Sequence, residues 1–162
     1  INAIHSVLPL PTGGYRVWHA KGDGWQTIDG KKYPKYNIWS STSKNGFVIS
    51  NDAVLCVDTI EPEYRIGRPS IYLIGDSYIM FYTKGSTSGV DYYPGIALSD
   101  DGVRWTRRDD LFGINLSYAG WDSKHIAYPR LIKIKDNRYY VFYNGNNMGQ
   151  DGFGYAELEI EI

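Results

Sequence analysis

The sequence predicts an all-β fold: an incomplete β-propeller of about three four-stranded antiparallel blades, the last one unfinished. Three observations lead there. One aromatic strand occurs three times, as Tyr15-Arg16-Val17-Trp18-His19-Ala20, Tyr78-Ile79-Met80-Phe81-Tyr82-Thr83 and Tyr139-Tyr140-Val141-Phe142-Tyr143-Asn144, at spacings of 63 and 61 residues. A repeat of that period marks a tandem array of supersecondary units. Around each tyrosine the same order of elements returns, and nowhere does the apolar pattern follow the 3.6-residue period of a helix.

Taken in order, each unit begins with an extended segment: His5 to Leu10, Arg68 to Ile74, and Tyr128 to Ile134. A tight turn follows at Thr12-Gly13-Gly14, Gly75-Asp76-Ser77 and Lys135-Asp136-Asn137-Arg138, with the Gly, Asp and Asn residues that hairpins favour. The tyrosine strand comes next, then a glycine-bearing loop and a third strand at Tyr36 to Ser43, Tyr92 to Ser99 and Gly152 to Leu158. Two units turn again at Lys44-Asn45-Gly46 and Asp100-Asp101-Gly102, into fourth strands expected at Phe47 to Ser50 and Val103 to Arg107. Asp100-Asp101-Gly102 lacks the alternating acidic ligands of a calcium loop and reads as a hairpin turn. The blade repeats therefore span about 3–57, 65–118 and 125–162.

The third unit runs out in the alternating Glu157-Leu158-Glu159-Ile160-Glu161-Ile162, with no fourth strand to follow. Such alternation leaves an apolar face and an unpaired edge, which invites association. Propellers usually hold about four to eight blades. A longer protein would complete the ring. So would two copies closing about six blades, and a homo-oligomer through open blade edges is the expected partner arrangement.

Composition narrows the function. With 43% hydrophobic residues and a net charge of −1, the chain is neither disordered nor marked for nucleic acid. No apolar run nears the ~20 residues of a membrane span, and no signal peptide is visible in a sequence that opens at Ile1. Cys56 is the single cysteine, which excludes an intrachain disulfide and favours a reducing compartment such as the cytoplasm. Within Val54-Leu55-Cys56-Val57 it reads as a core residue. Fifteen tyrosines and five tryptophans suit both pleated-sheet packing and sugar stacking.

In a propeller the first strand of each blade lines the central axis and ligands sit at one mouth, so residues entering those strands are the site candidates. Aligned on the tyrosines, these are His5-Ser6, Arg68-Pro69 and Tyr128-Pro129, with Arg130 beside them and Arg65 just before. Arg68 offers a five-donor fork to a hydroxyl or carboxylate, or to carbonyls of the channel. Asp122, on the loop before the third inner strand, is the best-placed carboxylate, as an acid or as a turn cap. Trp121 suits sugar stacking or blade-edge cover. His125 is a donor toward ligand or backbone, and His5 recurs near the axis; the three histidines lack metal-ligand spacing, so no metal or cofactor is expected. Asn144, with Asn146 and Asn147, carries amides suited to sugar hydroxyls or to glycine-rich turns. Glu61 and Glu63 read as loop charges. The loop from Lys21 to Lys35, bearing Trp25, is placed to reach over a mouth as a lid.

Several stretches carry a resemblance. Ile66-Gly67-Arg68-Pro69-Ser70 followed by Tyr78-Ile79-Met80-Phe81-Tyr82, and Ile96-Ala97-Leu98-Ser99-Asp100-Asp101-Gly102-Val103-Arg104-Trp105, resemble five-bladed propeller enzymes of glycoside hydrolase families 43 and 32, the arabinanases, levansucrases and invertases. Gly120-Trp121-Asp122-Ser123, Ile126-Ala127-Tyr128-Pro129 and Phe142-Tyr143-Asn144-Gly145-Asn146 look most like their uncharacterised bacterial relatives. The resemblance covers nearly the whole chain and matches the C-terminal three-fifths of such a propeller. It implies a carbohydrate ligand. Glycoside hydrolysis needs two carboxylates flanking the bond. One of the family's aspartates lies in a first blade not matched here. Arg68 holds the place of a second, and Lys124, His125, Ile126 and Ala127 stand where the acid is expected. The expectation is a carbohydrate-binding, glycosidase-like module lacking the usual catalytic carboxylates. The alternatives are a structural or protein-interaction module with a vestigial sugar site, and a hydrolase active only when assembled or full-length.

Overall fold

A computed structural model describes residues 2–160. Glu161 and Ile162, the end of the last alternating run, lie outside the described residues. Blade 1 is built from β1 (Asn2–Pro9), β2 (Tyr15–Ile28), β3 (Lys31–Ser43) and β4 (Val54–Val57). Blade 2 holds β5 (Glu63–Ile74), β6 (Ser77–Ser86), β7 (Tyr93–Ser99) and β8 (Thr106–Arg107). Blade 3 has β9 (Ala127–Lys135), β10 (Arg138–Asn144) and β11 (Phe153–Glu159). Successive strands within each blade pair antiparallel. One parallel bridge, Tyr36 with Arg65, joins the pairing of blades 1 and 2. The protein is thus an open arc of propeller blades, all-β apart from two single-turn 3-10 segments at Asp109–Leu111 and Asn147–Gly149.

The tyrosine strands read as continuous apolar runs because successive side chains of a strand point to opposite faces, and a middle blade buries both. On β6, Met80 and Tyr82 pack with Trp18, Ile38, Val57, Ile66 and Ile71 between blades 1 and 2. Phe81, one residue out of phase, packs with Phe112, Ile126, Leu131, Val141 and Tyr143 between blades 2 and 3. Cys56 lies in the first of these cores as a free thiol.

Register also repeats. Each inner strand carries one extra residue at the same place: Ala3 and Ser6 oppose Ala20 and Trp18, Gly67 and Ser70 oppose Thr83 and Phe81, and Ala127 and Arg130 oppose Asn144 and Phe142. This is a β-bulge, which bends the strand and re-aims the residues it displaces. Ser6 Oγ donates across the blade boundary to the Pro69 carbonyl at 3.0 Å, and Ser70 Oγ does the same to Pro129 at 2.8 Å. These two bonds tie successive inner strands together at the bulge.

The two blade-end turns use one chemistry. Ser99 Oγ accepts from Gly102 N at 2.9 Å, while Asp101 Oδ1 accepts from Val103 N and Arg104 N at 2.7 and 2.8 Å. Ser43 Oγ accepts from Gly46 N at 3.0 Å, and Asn45 Oδ1 from Phe47 N and Val48 N at 3.0 Å. Gly102 sits at φ 70° with its carbonyl receiving the indoles of both Trp18 and Trp105.

Three expectations need correction. The fourth strand of blade 1 is Val54–Val57, not Phe47 to Ser50. The Asn45 turn is followed by a detour in which Phe47 is 90% exposed and Thr42 is held by Asp52. The segment from Lys21 to Lys35 is no loop: β2 and β3 continue through it and pair up to Ile28 with Lys31, and Tyr33 packs on Tyr64 at 4.9 Å. Tyrosine spacing also equates His5 with Arg68, whereas the bulges equate Ile4, Arg68 and Tyr128, and set His5 level with Pro69 and Pro129. Constant spacing cannot register a displacement of one residue.

Candidate functional site

Among the described residues seven non-glycine positions have positive φ, and four of them, Asp29, Asp136, Asn147 and Met148, lie in turns or a short helical loop. The other three are bulky and meet: Arg68 (φ 55°), Tyr92 (φ 57°) and Tyr128 (φ 59°). Left-handed backbone at such residues is strained and persists only where the surroundings fix it, which makes it a pointer to function. Here the bulge supplies the constraint. Arg68 and Tyr128 precede the buried Pro69 and Pro129, whose carbonyls are held by Ser6 and Ser70, and Tyr128 N donates to Thr83 Oγ1 at 2.9 Å.

The three side chains form one surface at the mouth of the inner strands. The Arg68 guanidinium lies 4.6 Å from the centre of the Tyr128 ring, and Tyr128 meets the Tyr92 ring edge-on at 6.2 Å. The His125 and Tyr92 ring centres are 5.9 Å apart, and the Arg65 guanidinium covers Tyr92 at 4.4 Å. Arg65 is 3.9 Å from Asp91, which also accepts from the Tyr64 hydroxyl. Burial pushes the Tyr92 hydroxyl up to about 12 against the pull of Arg65, and it raises Tyr36 as well, so both stay neutral hydrogen-bonding groups at neutral pH.

Beside this surface, Arg68, Tyr128, Arg130, Phe142, Tyr143, Asn144 and Phe153 line a recess of about 250 Å³. Arg130 stands at the bulge position that Ser6 and Ser70 occupy in the other blades. Among the described residues, neither Arg68 nor Arg130 has a carboxylate partner. His5 is half-buried nearby, and burial first, then the charges of Arg68, Arg130 and His19, hold its pKa below 6.5.

The structure thus brings together Arg68, Tyr128, Arg130 and Asn144, with His125 next to them and His5 within the field of the arginines. Asp122 and Trp121 are set one layer behind. Asp122 is 5% exposed and accepts from the Tyr143 hydroxyl at 3.3 Å, so it reaches the recess only through that ring. Trp121 stacks on Tyr143 at 5.4 Å and fills the space over Gly145, Gly152 and Gly154, where any side chain would collide with it. The loop carrying both is organised by Asn146, 4% exposed, whose amide oxygen accepts from Lys124 N and His125 N while its nitrogen donates to the Gly120 carbonyl. Among the described residues no cluster of three His, Cys, Asp or Glu could hold a metal ion, and no helix is long and apolar enough to cross a membrane.

Sequence reasoning missed Tyr92, Tyr36, Phe153 and the scaffold role of Asn146. Tyr92 follows the carboxylate that holds Arg65, but nothing in Asp91-Tyr92-Tyr93 signals a left-handed residue. Asn146 was visible as one of three asparagines after β10, without a sign of which one turns inward.

The fold is that of the glycoside hydrolase propellers. A family 117 glycoside hydrolase from the marine bacterium Zobellia galactanivorans matches with a TM-score of 0.74 at 17% identity, over 98% of this chain and 53% of its own. A thermostable family-43 glycoside hydrolase matches with a TM-score of 0.72 at 13% identity, over 96% and 54%. An endo-arabinase from Bacteroides thetaiotaomicron matches at 0.61, with 16% identity over 97% and 55%. At these identities the likeness concerns the fold. In sequence, the chain is 28% identical over 148 residues to the uncharacterized proteins MT1551 and Rv1502 of Mycobacterium tuberculosis, covering 91% of this chain. It spans about half the length of these relatives, 48%. No family model matches the sequence.

Proposed function

We propose that this chain is the carbohydrate-holding part of a glycosidase-like propeller, with the ligand seated at the mouth formed by Arg68, Tyr92, Tyr128, Arg130 and Asn144. The observation that carries it is the strained trio, Arg68, Tyr92 and Tyr128, converging on one open surface. Aromatic faces, amide groups and guanidinium forks are the groups that bind sugar rings and hydroxyls. The structural neighbours are glycoside hydrolases, which supports the reading. Among the described residues, Asp122 is buried behind Tyr143, and Asp91 is held by Tyr64 and Arg65, which supports a binding role for this mouth. Hydrolysis needs two carboxylates. On this reading the three blades bind the sugar, and a hydrolase would draw its second carboxylate from outside them.

The outer faces of the arc support further blades. Val7 of β1 is 47% exposed where its register equivalents Ile71 and Leu131 are buried, while the Tyr140 and Tyr155 rings pack 4.6 Å apart on the far face of blade 3. These are the faces that blade 2 buries on both sides. Blades of the same polypeptide or of a second copy cover them, and light scattering separates the cases: a monomer at high concentration excludes the second copy. For the binding site, a glycan array read with wild type and Tyr128→Ala is the test. Bound glycans should be lost in the folded variant. Binding that survives Tyr128→Ala unchanged, or no glycan bound by a folded wild type, overturns the assignment.

A further inference from the structure

Resting on the mouth as the sugar site, we infer that its ligand carries a negative charge: an acidic sugar whose anionic group is taken by Arg68 and Arg130. The two guanidiniums line one recess of about 250 Å³; Arg68 lies over the Tyr128 ring, and among the described residues neither has a carboxylate partner. Both side chains are exposed and share that recess, whereas the half-buried Arg107 and Arg65 are engaged within the fold. Arg107 is clamped by Glu63 and Asp109, and Arg65 lies 3.9 Å from Asp91. An arginine that is unpaired, held over a tyrosine ring and fixed on strained backbone is preorganised for a partner outside the chain. Its planar fork matches a carboxylate or a phosphate ester with two parallel hydrogen bonds.

Arg130 strengthens the case by its position. Its equivalents Ser6 and Ser70 hold the neighbouring blade through a short hydroxyl bond. At the third bulge a long cation replaces the hydroxyl and lines the recess that Arg68 also lines. Tyr128 and Asn144 border the same volume, where a ring face and hydroxyls would be met.

The probes are oligosaccharides ending in glucuronate or galacturonate, their neutral glucose and galactose counterparts, the corresponding sugar 6-phosphates, and inorganic phosphate alone. Titration calorimetry of the folded chain at pH 7 and low salt should show the charged sugars binding at least about tenfold tighter than the neutral ones, since charge-assisted bonds are worth that much. Arg68→Ala and Arg130→Ala should each abolish the preference, weakening the charged sugars at least about tenfold more than the neutral ones. Uronates binding above 6-phosphates assigns a carboxylate, and the reverse order an ester. Neutral sugars binding as well as charged ones overturns the inference and leaves the sugar site standing. Inorganic phosphate matching the charged sugars overturns it as well, by showing an anion site without sugar recognition. So does an Arg130→Ala variant that changes only the melting temperature, because Arg130 would then be a structural replacement for the serine. No binding of any sugar removes the sugar site itself.

Discussion

Two arginine-bearing regions of blade 2 differ in one respect. At the outer side, Arg107 on β8 donates to both oxygens of Glu63 at 2.8 and 2.7 Å and also to Asp109. Lys84 adds a 2.7 Å bond to Asp109, whose other oxygen takes the buried Tyr82 hydroxyl. These groups join the first, second and fourth strands to the chain after β8 in a closed network. Charge-assisted bonds shared among several partners in a low-dielectric site are structural. At the mouth, on the same inner strand as Glu63, the Arg68 guanidinium lies over the Tyr128 ring and, among the described residues, has no carboxylate partner. The contrast separates cations the fold has consumed from cations it has left available.

The largest expected effect breaks the network. Arg107→Ala leaves Glu63 and Asp109 partly buried without their cation and should cost about 2–4 kcal/mol by chemical denaturation. Arg68→Ala, at an exposed side chain, should cost under about 0.5 kcal/mol. Equal losses would erase the distinction. Next in size is the strain at the mouth. Glycine is normally less stable than alanine within a strand, but at φ 55° the Cβ is the problem. Arg68→Gly should therefore exceed Arg68→Ala in stability by about 1 kcal/mol. The usual order, alanine above glycine, would mean that the left-handed backbone is unstrained.

The smallest effect is in the pH dependence. His5 and His19 both have folded pKa values below 6.5, each chiefly through burial. The unfolded chain then binds more protons, so stability is fully present above about 6.5 and is lost as pH falls toward the folded values. Glu63 and Asp109 are held below their ordinary values by their hydrogen bonds and cations, against burial. Their contribution is present above about 4.5 and is lost at lower pH. Thermal melts should thus show a first decline between pH 7 and 5, and His5→Asn combined with His19→Asn should flatten that limb alone. A melting temperature that stays constant from pH 7 to 5 in the wild type contradicts it.

Much of the architecture was legible in the residues. Tyr15, Tyr78 and Tyr139 do head equivalent strands, and Ser99-Asp100-Asp101-Gly102 is a turn held by its own side chains, because these depend on local chemistry. The detour after Asn45 was not legible. The same turn chemistry precedes a strand four residues later in blade 2 and eight later in blade 1, and only the pairing of β3 with Val54–Val57 decides which residues follow it. The site was half legible. Arg68, Tyr128 and Arg130 follow from knowing that inner strands line an axis, yet Tyr92 joins them from another element and Trp121 leaves them to pack on three glycines.

The sequence by itself determined the period, the blade order and the turn chemistry, since each follows from side-chain alternation and from hydrogen bonds a few residues long. Only the tertiary structure decided which charges are spent. Whether an arginine is neutralised depends on groups brought from distant strands, as Glu63 is to Arg107. A single bulged residue, invisible to spacing, turns Arg68 and Tyr128 toward the mouth.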